Sequence, residues 1–293
     1  MRRTFVVRAV SVCLPTSAQA RWTSLLWLLC VSVHLPVTAE ARPVRMDHPL
    51  VHWVQPEKYQ AFSPISFRLH HLPKQEFMLI FPEGLTARVP QMRVPRLDWT
   101  LQEDVAIGHG KTEDYALTVT VIATVHGLGN RDMALRWQYV FHNHSSMPVV
   151  DLAAFHCLLL DGAPLFKDLT LERTWVQNGS HEYVPLHTIT KTQGAGKRTM
   201  QFYPSAQGID LAGIPGIAQW GVTAPEPLSG DRMMVVSQDG RWRVESIVEG
   251  PVAFFFNNWE DDHGCIHVAP LFGTVPPGDQ RLTRGTITFR WLL

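Results

Sequence analysis

The residues best suited to chemistry are concentrated in one segment, 257–267, which reads Asn-Asn-Trp-Glu-Asp-Asp-His-Gly-Cys-Ile-His. Carboxylates and imidazoles are the usual general acids and bases near neutral pH. Amides and an indole ring suit a ligand rich in hydroxyl groups. The segment follows an apolar run and therefore predicts a loop that lines a cleft, although a solvated turn whose Asn and Asp side chains bind their own backbone has the same composition.

Residue type alone assigns the roles in this predicted site. The candidate catalytic residues are the acids and imidazoles of the segment: Glu260, Asp261, Asp262, His263 and His267. The candidate substrate-binding residues are its amides and its indole, together with three histidines from elsewhere in the chain: Asn257, Asn258, Trp259, His142, His144 and His181. His181 lies in a polar stretch that is interpreted either as a lid over the cleft or as a surface loop.

The spacing of His263, Cys265 and His267 would place three side chains able to bind a metal on one face of a strand. The chain has no C-x-x-C pair and no H-E-x-x-H motif, so a metal site is kept as a third hypothesis and no metal or other cofactor is expected. Cys157 and Cys265 are the two cysteines outside the N-terminal segment. A disulfide between them and two free buried thiols both remain open.

The N-terminal segment 1–39 contains four arginines and no Asp, Glu or Lys, and its apolar run ends in Val37-Thr-Ala39. This order is typical of a secretory signal peptide, and the run is shorter than the roughly 20 residues of a membrane span. We therefore expect a secreted or periplasmic protein with no stable membrane span after cleavage, the alternative being an uncleaved N-terminal anchor. Cleavage would leave 22 Lys and Arg against 26 Asp and Glu, a balance that argues against nucleic-acid binding.

Apolar and polar residues alternate over most of the remaining chain, for example in 117–125, 135–141 and 287–291. This period of two is typical of half-buried strands, and turn signals such as Pro82-Glu-Gly84 and Asp239-Gly240 separate them. No segment shows a capped helical stripe. The sequence predicts an all-β fold, a large two-sheet antiparallel sandwich.

The predicted organisation is a signal peptide over 1–39, an extended lead-in over 40–57 and a single sandwich domain over 58–293, with a long loop in 177–198. The chain lacks a G-x-S-x-G elbow, a P-loop and a G-x-G-x-x-G motif opening a helix. These absences argue against serine hydrolases, nucleotide hydrolases and dinucleotide-dependent enzymes.

Two stretches carry a family resemblance. The segment 135–148 resembles a strand and N-x-S-x-x-P turn of large secreted bacterial sandwiches, and 264–289 resembles the last strands of galactose-mutarotase-like supersandwich domains, with a Pro-Gly turn before the final core strand. The resemblance implies a two-sheet supersandwich that binds carbohydrate. It also implies that an epimerase of this kind would use a His as acid and a carboxylate as base.

The leading hypothesis is thus an exported carbohydrate-interacting protein with a sugar or polysaccharide as partner. If it is an enzyme, the chemistry would be of the epimerase, lyase or hydrolase acid–base type. The alternative is a non-catalytic structural or interaction module at the cell surface or in the periplasm.

Overall fold

The computed structural model describes residues 50–56, 62–125, 131–190, 200–206, 208–214, 221–258 and 264–292. Within these ranges the chain forms seventeen strands. The first nine are β1 Val51–Val54, β2 Ile65–Leu69, β3 Leu72–Thr86, β4 Asp98–Gln102, β5 Val105–Lys111, β6 Tyr115–Val125, β7 Met133–Asn143, β8 Val149–Leu159 and β9 Thr174–Gln177. The other eight are β10 Tyr183–Pro185, β11 Met200–Pro204, β12 Val222–Thr223, β13 Ser229–Val236, β14 Trp242–Glu249, β15 Val252–Asn258, β16 Cys265–Val275 and β17 Gln280–Trp291.

Helical structure in the described ranges includes two single-turn 3₁₀ helices, Leu186–Thr188 and Leu211–Gly213. None of the helices described there has the length and apolar character needed to cross a bilayer.

The strands form two sheets. Sheet I has the order β1-β2-β3-β8-β16-β15-β11-β12, and sheet II has the order β10-β9-β13-β14-β17-β7-β6-β5-β4. The strand pairs are antiparallel apart from β11 with β12. The predicted all-β, two-sheet antiparallel sandwich is confirmed.

The alternation along the chain explains how the sheets pack. On β6 the side chains of Leu117, Val119 and Val121 are buried, and the polar residues between them are more exposed. Trp137 on β7 is paired with Val121 and is equally buried. These side chains belong to one apolar cluster that joins the facing sides of both sheets, as expected where sandwich sheets interdigitate.

Sheet I also buries its other side, which is called the outer face below. Successive side chains of a strand point to opposite faces, so on β15 Phe255 joins the core between the sheets while Phe254 and Phe256 form a separate cluster. Leu211, from the second 3₁₀ helix, packs against that cluster. The outer face is therefore covered by chain as well as lined by aromatic rings.

Several local predictions can be compared with the strands. Asp239-Gly240 does connect β13 to β14, since Val236 pairs with Arg243. The prediction of a turn at Pro82-Glu-Gly84 was wrong, because these residues lie inside β3. The described part of the 177–198 segment contains β10 and a 3₁₀ helix, and the described part of the lead-in contributes β1, which pairs with β2.

Gly285 lies where β17 passes closest to its neighbours. A Cβ atom there would be 2.1 Å from the Ile247 carbonyl oxygen and 2.4 Å from Cζ2 of Trp137. The carbonyl is part of paired backbone in β14 and the Trp137 ring is buried, so neither moves freely. We expect Gly285→Ala to lower the free energy of unfolding by about 3 kcal/mol, measured by urea unfolding.

The matched control for that substitution is Gly179→Ala, because the nearest atom to a Cβ there is 3.6 Å away. This change is expected to alter the unfolding free energy by less than about 1 kcal/mol. Equal effects of the two alanines would contradict the packing described for Gly285.

Candidate functional site

The polar centre of the outer face is His267 on β16. Its Nδ1 atom lies 3.1 Å from the carbonyl oxygen of Phe256, and its Nε2 atom lies 2.9 Å from Oε2 of Glu83. A carbonyl oxygen only accepts hydrogen bonds, so Nδ1 carries a proton. The imidazole is 1% exposed, whereas the Glu83 side chain is 24% exposed. Of the two side chains, Glu83 is therefore the one that solvent contacts appreciably.

A β-bulge in β3 positions Glu83. Ile80 pairs with Cys157 and Gly84 pairs with Phe155, so three residues of β3 face the single residue His156 of β8. The two extra residues bend the strand locally and re-aim its side chains, as bulges do. Phe81 packs into the core between the sheets, while the Glu83 carboxylate reaches across β8 to His267 on the outer face.

Two cysteines lie beside His267. The β16–β8 register pairs Ile266 with Leu158, which places Cys157 opposite His267. Cys265 lies two residues before His267 on the same face of β16, and both cysteines are free and buried. The ligand atoms of Cys157, Cys265 and His267 all lie within 4.8 Å of one another, so among the described residues these three side chains form a group that could hold a metal ion.

Charges in this cluster are strongly coupled. Burial alone would lower the pKa of His267, but Cys265 and Glu83 beside it raise that pKa to about 10. Burial would likewise raise the pKa of the Cys265 thiol, but the hydrogen bond with Cys157 and the charge of His267 lower it to about 6. The pKa of Cys157 is raised by burial and by Cys265. The arrangement favours a positive imidazolium between two acidic partners.

His156, on the core side of β8, is buried against aromatic rings and its Nε2 atom lies 2.9 Å from Oγ of Ser246. Burial, with a further contribution from His267, lowers the pKa of His156 to about 3. The unfolded chain binds a proton there below about pH 6.5, whereas the folded chain does so only near pH 3. The stability that neutral His156 contributes is therefore complete above pH 6.5 and is lost as the pH falls towards 3.

As the pH falls below 6.5, the unfolding free energy of His156→Gln is expected to decrease less steeply than that of the wild type. The two slopes should differ by about 1.4 kcal/mol per pH unit. Glutamine can hydrogen-bond Ser246 and does not titrate. The measurement is urea unfolding of both proteins between pH 7 and pH 4. Identical pH slopes would show that His156 is not buried in its neutral form.

The residues of segment 257–267, predicted to form one site, do not all lie on the same face of sheet I. Asn257 is 1% exposed and pairs with Gln201 on the core side of sheet I, so it lies on the opposite face from His267. Within the described ranges its Oδ1 atom has no hydrogen-bond partner. Asn258 ends β15. Five of the predicted residues lie outside the described residues: Trp259, Glu260, Asp261, Asp262 and His263.

The three more distant histidines are not brought to His267. His142 lies on β7 of sheet II, with its Nε2 atom 3.1 Å from the Gly278 carbonyl oxygen and its ring 4.1 Å from the His144 ring, measured between centroids. His181 is in the left-handed region, with φ of 65°, in the turn before β10. These residues belong to sheet II or its connections, whereas His267 belongs to sheet I.

Sequence reasoning missed two members of the cluster, Glu83 and Cys157. Glu83 was passed over because Pro-Glu-Gly has the composition of an ordinary turn. Cys157 stands in an apolar run that is typical of a packed core strand. The one usable signal was that Cys157 and Cys265 are the two cysteines outside the N-terminal segment.

Neither a protein-family model nor a curated protein matches the sequence. Among solved structures, the Slr1438 protein of Synechocystis sp. PCC 6803 is similar in fold, with 10% identity and a TM-score of 0.46 over 85% of this chain and 96% of that chain.

Two further similar structures carry functional names. One is a candidate aldose 1-epimerase from Escherichia coli K12, with 10% identity and a TM-score of 0.38 over 67% of this chain and 69% of that chain. The other is a galactose mutarotase-like protein from Clostridium acetobutylicum, with 10% identity and a TM-score of 0.38 over 84% and 99%. The similarity is one of fold and assigns no residue role.

Proposed function

We propose that the protein is exported and acts on a carbohydrate by acid–base chemistry at Glu83, which His267 positions. The observation that carries the proposal is the 2.9 Å contact between Oε2 of Glu83 and Nε2 of His267, in which a partly exposed carboxylate covers a buried imidazole. Imidazole and carboxylate groups are both common general acids and bases.

The division of labour in this proposal follows from exposure. Glu83 contacts the sugar, since it alone of the pair has an appreciable exposed fraction. Its Oε2 atom is used by His267, which leaves Oε1 to accept a proton from a sugar hydroxyl. His267 is a positioning residue: its hydrogen bond with the Phe256 carbonyl oxygen fixes the ring, and its Nε2 atom holds the Glu83 carboxylate in place. Export is inferred from the composition of residues 1–39.

The acid–base part of the proposal is tested with the purified protein on freshly dissolved aldoses. Polarimetry is expected to show faster interconversion of anomers than the buffer alone gives, with selectivity among sugars. Binding to an array of mono- and polysaccharides tests the wider carbohydrate proposal, and Trp259→Ala is expected to weaken that binding. If the protein neither accelerated the interconversion nor bound any sugar on the array, the proposal would be overturned in favour of a non-catalytic interaction module.

A further inference from the structure

Three buried side chains with sulfur or nitrogen ligand atoms converge on the outer face of sheet I. Cys157, Cys265 and His267 are each at most 6% exposed, and their ligand atoms lie within 4.8 Å of one another. Thiolate and imidazole are the ligands of structural zinc sites, whereas Mg²⁺ and Ca²⁺ require oxygen ligands. The chemistry of this set therefore selects a borderline or soft divalent cation.

The hydrogen bonds of His267 leave one ring nitrogen for a metal. Histidines that bind metals donate their other N–H to a carbonyl or carboxylate, which fixes the ring orientation. Here Nδ1 donates to the Phe256 carbonyl oxygen, and Nε2 is on the side of Glu83. A cation bound to Nε2 would replace the proton now shared with the carboxylate.

Glu83 lies beside this group of three and would supply a fourth ligand. Its Oε2 atom is 2.9 Å from Nε2 of His267. Nitrogen and oxygen ligands about 2.0–2.1 Å from a tetrahedral ion are about 3.3–3.4 Å apart, so a small outward shift of the carboxylate would make room for the ion. Two sulfurs, one nitrogen and one carboxylate oxygen match the mixed N, S and O ligands of Zn²⁺ better than the sulfur-rich sites of Cu⁺. The partly exposed carboxylate also provides the entry path that a buried site needs.

We propose that Cys157, Cys265, His267 and Glu83 form a Zn²⁺ site. The register supports a shared ion over a disulfide, because Cys157 is opposite His267 while Cys265 is opposite Leu159. The Cα atoms of diagonal positions on neighbouring strands are typically about 7–8 Å apart, which is too far for a relaxed disulfide. The two sulfur atoms nevertheless lie within 4.8 Å of each other, so one ion could bind both with the strands in place.

This inference goes beyond the proposed function and does not depend on it, since metal binding is measured directly. The two are related only because zinc would occupy the same Glu83–His267 contact. The zinc-loaded protein is therefore expected to lose the sugar chemistry that the metal-free protein has.

The test uses the full protein purified with reductant and loaded with one equivalent of Zn²⁺ or Co²⁺. X-ray absorption of the zinc form is expected to show two sulfur neighbours at about 2.3 Å and two nitrogen or oxygen neighbours at about 2.0–2.1 Å. The cobalt form is expected to show thiolate charge-transfer absorption and the intense visible bands of tetrahedral coordination. A shell without sulfur would overturn the proposal, and this readout requires no variant to fold.

Variants then assign the ligands. Cys157→Ser and Cys265→Ser are each expected to weaken Co²⁺ binding at least tenfold and to reduce the charge-transfer absorption. The matched control is the double variant His142→Ala and His144→Ala, whose rings contact each other at the end of β7 in sheet II. This variant is expected to bind like the wild type. Loss of binding in that control with normal binding in both cysteine variants would place the metal elsewhere and overturn the assignment.

Discussion

Replacing Glu83 with glutamine is expected to lower the rate of anomer interconversion about 100-fold or more while leaving the fold intact. The amide has the shape of the carboxylate but accepts no proton from a sugar hydroxyl. It also removes the negative charge that lies 2.9 Å from the imidazole. The measurement is polarimetry of wild type and variant at equal concentration and in the presence of a chelator, so that bound metal plays no part.

The control for this prediction is Glu76→Gln on the same strand. Glu76 pairs with Arg68 at an exposed position, 2.6 Å between Nη2 and Oε2, and its loss is expected to leave the rate unchanged. A Glu83→Gln variant as active as Glu76→Gln would remove Glu83 from the chemistry. Loss of activity in both would point to a general effect of charge on β3 instead.

Replacing Asn143 with alanine is expected to cause the largest loss of stability from a single polar side chain. Asn143 is 0% exposed, and its Nδ2 atom donates to the carbonyl oxygens of Met147 and Val275. Its Oδ1 atom accepts from both the backbone N–H and the hydroxyl of Ser145. The alanine variant would leave the buried Val275 carbonyl oxygen and the part-buried groups of this turn without these hydrogen bonds. The expected cost is about 3 kcal/mol of unfolding free energy, measured by urea titration.

The chain offers a matched control for that loss, because Asn178 also precedes an x-Ser pair and also forms a turn. Its Oδ1 atom accepts from the backbone N–H groups of Ser180 and Glu182, but these contacts are exposed. Asn178→Ala is expected to cost less than about 1 kcal/mol. A similar cost at both positions would show that Asn143 does not hold the β7 turn against β16.

The layout of the sheets was predictable because it depends on local pattern. The alternation in β6 and β7 marks which side chains face the core, and Asp239-Gly240 marks one hairpin; both agree with the observed pairing. Long-range register was not predictable from these signals. It decides, for example, that Asn257 and His267 lie on opposite faces of sheet I although they are ten residues apart in one polar segment.

Of the candidate site, only His267 and the nearby Cys265 could be identified from sequence, by residue type. Glu83 is 184 residues from His267 in the chain, and no local pattern indicates that a strand will bulge rather than turn at Pro-Glu-Gly. Whether a carboxylate reaches the imidazole depends on the pairing of β3 with β8, which is fixed only when the whole sheet assembles. A site formed by contacts between strands that are distant in the chain therefore cannot be predicted from a single sequence.

Glu83 belongs to the bulge in β3, outside the regular pairing of β3 with β8. Removing two residues from 81–83 would let β3 and β8 pair without interruption, so a chain that lacks them can keep the same architecture and lose the acid–base pair. In an alignment of proteins with this fold, a two-residue gap at this point would therefore separate chains that have the acidic group from chains that have kept only the scaffold. Relatives that share this chemistry would then be recognised by the length of β3 at the bulge more than by overall sequence similarity.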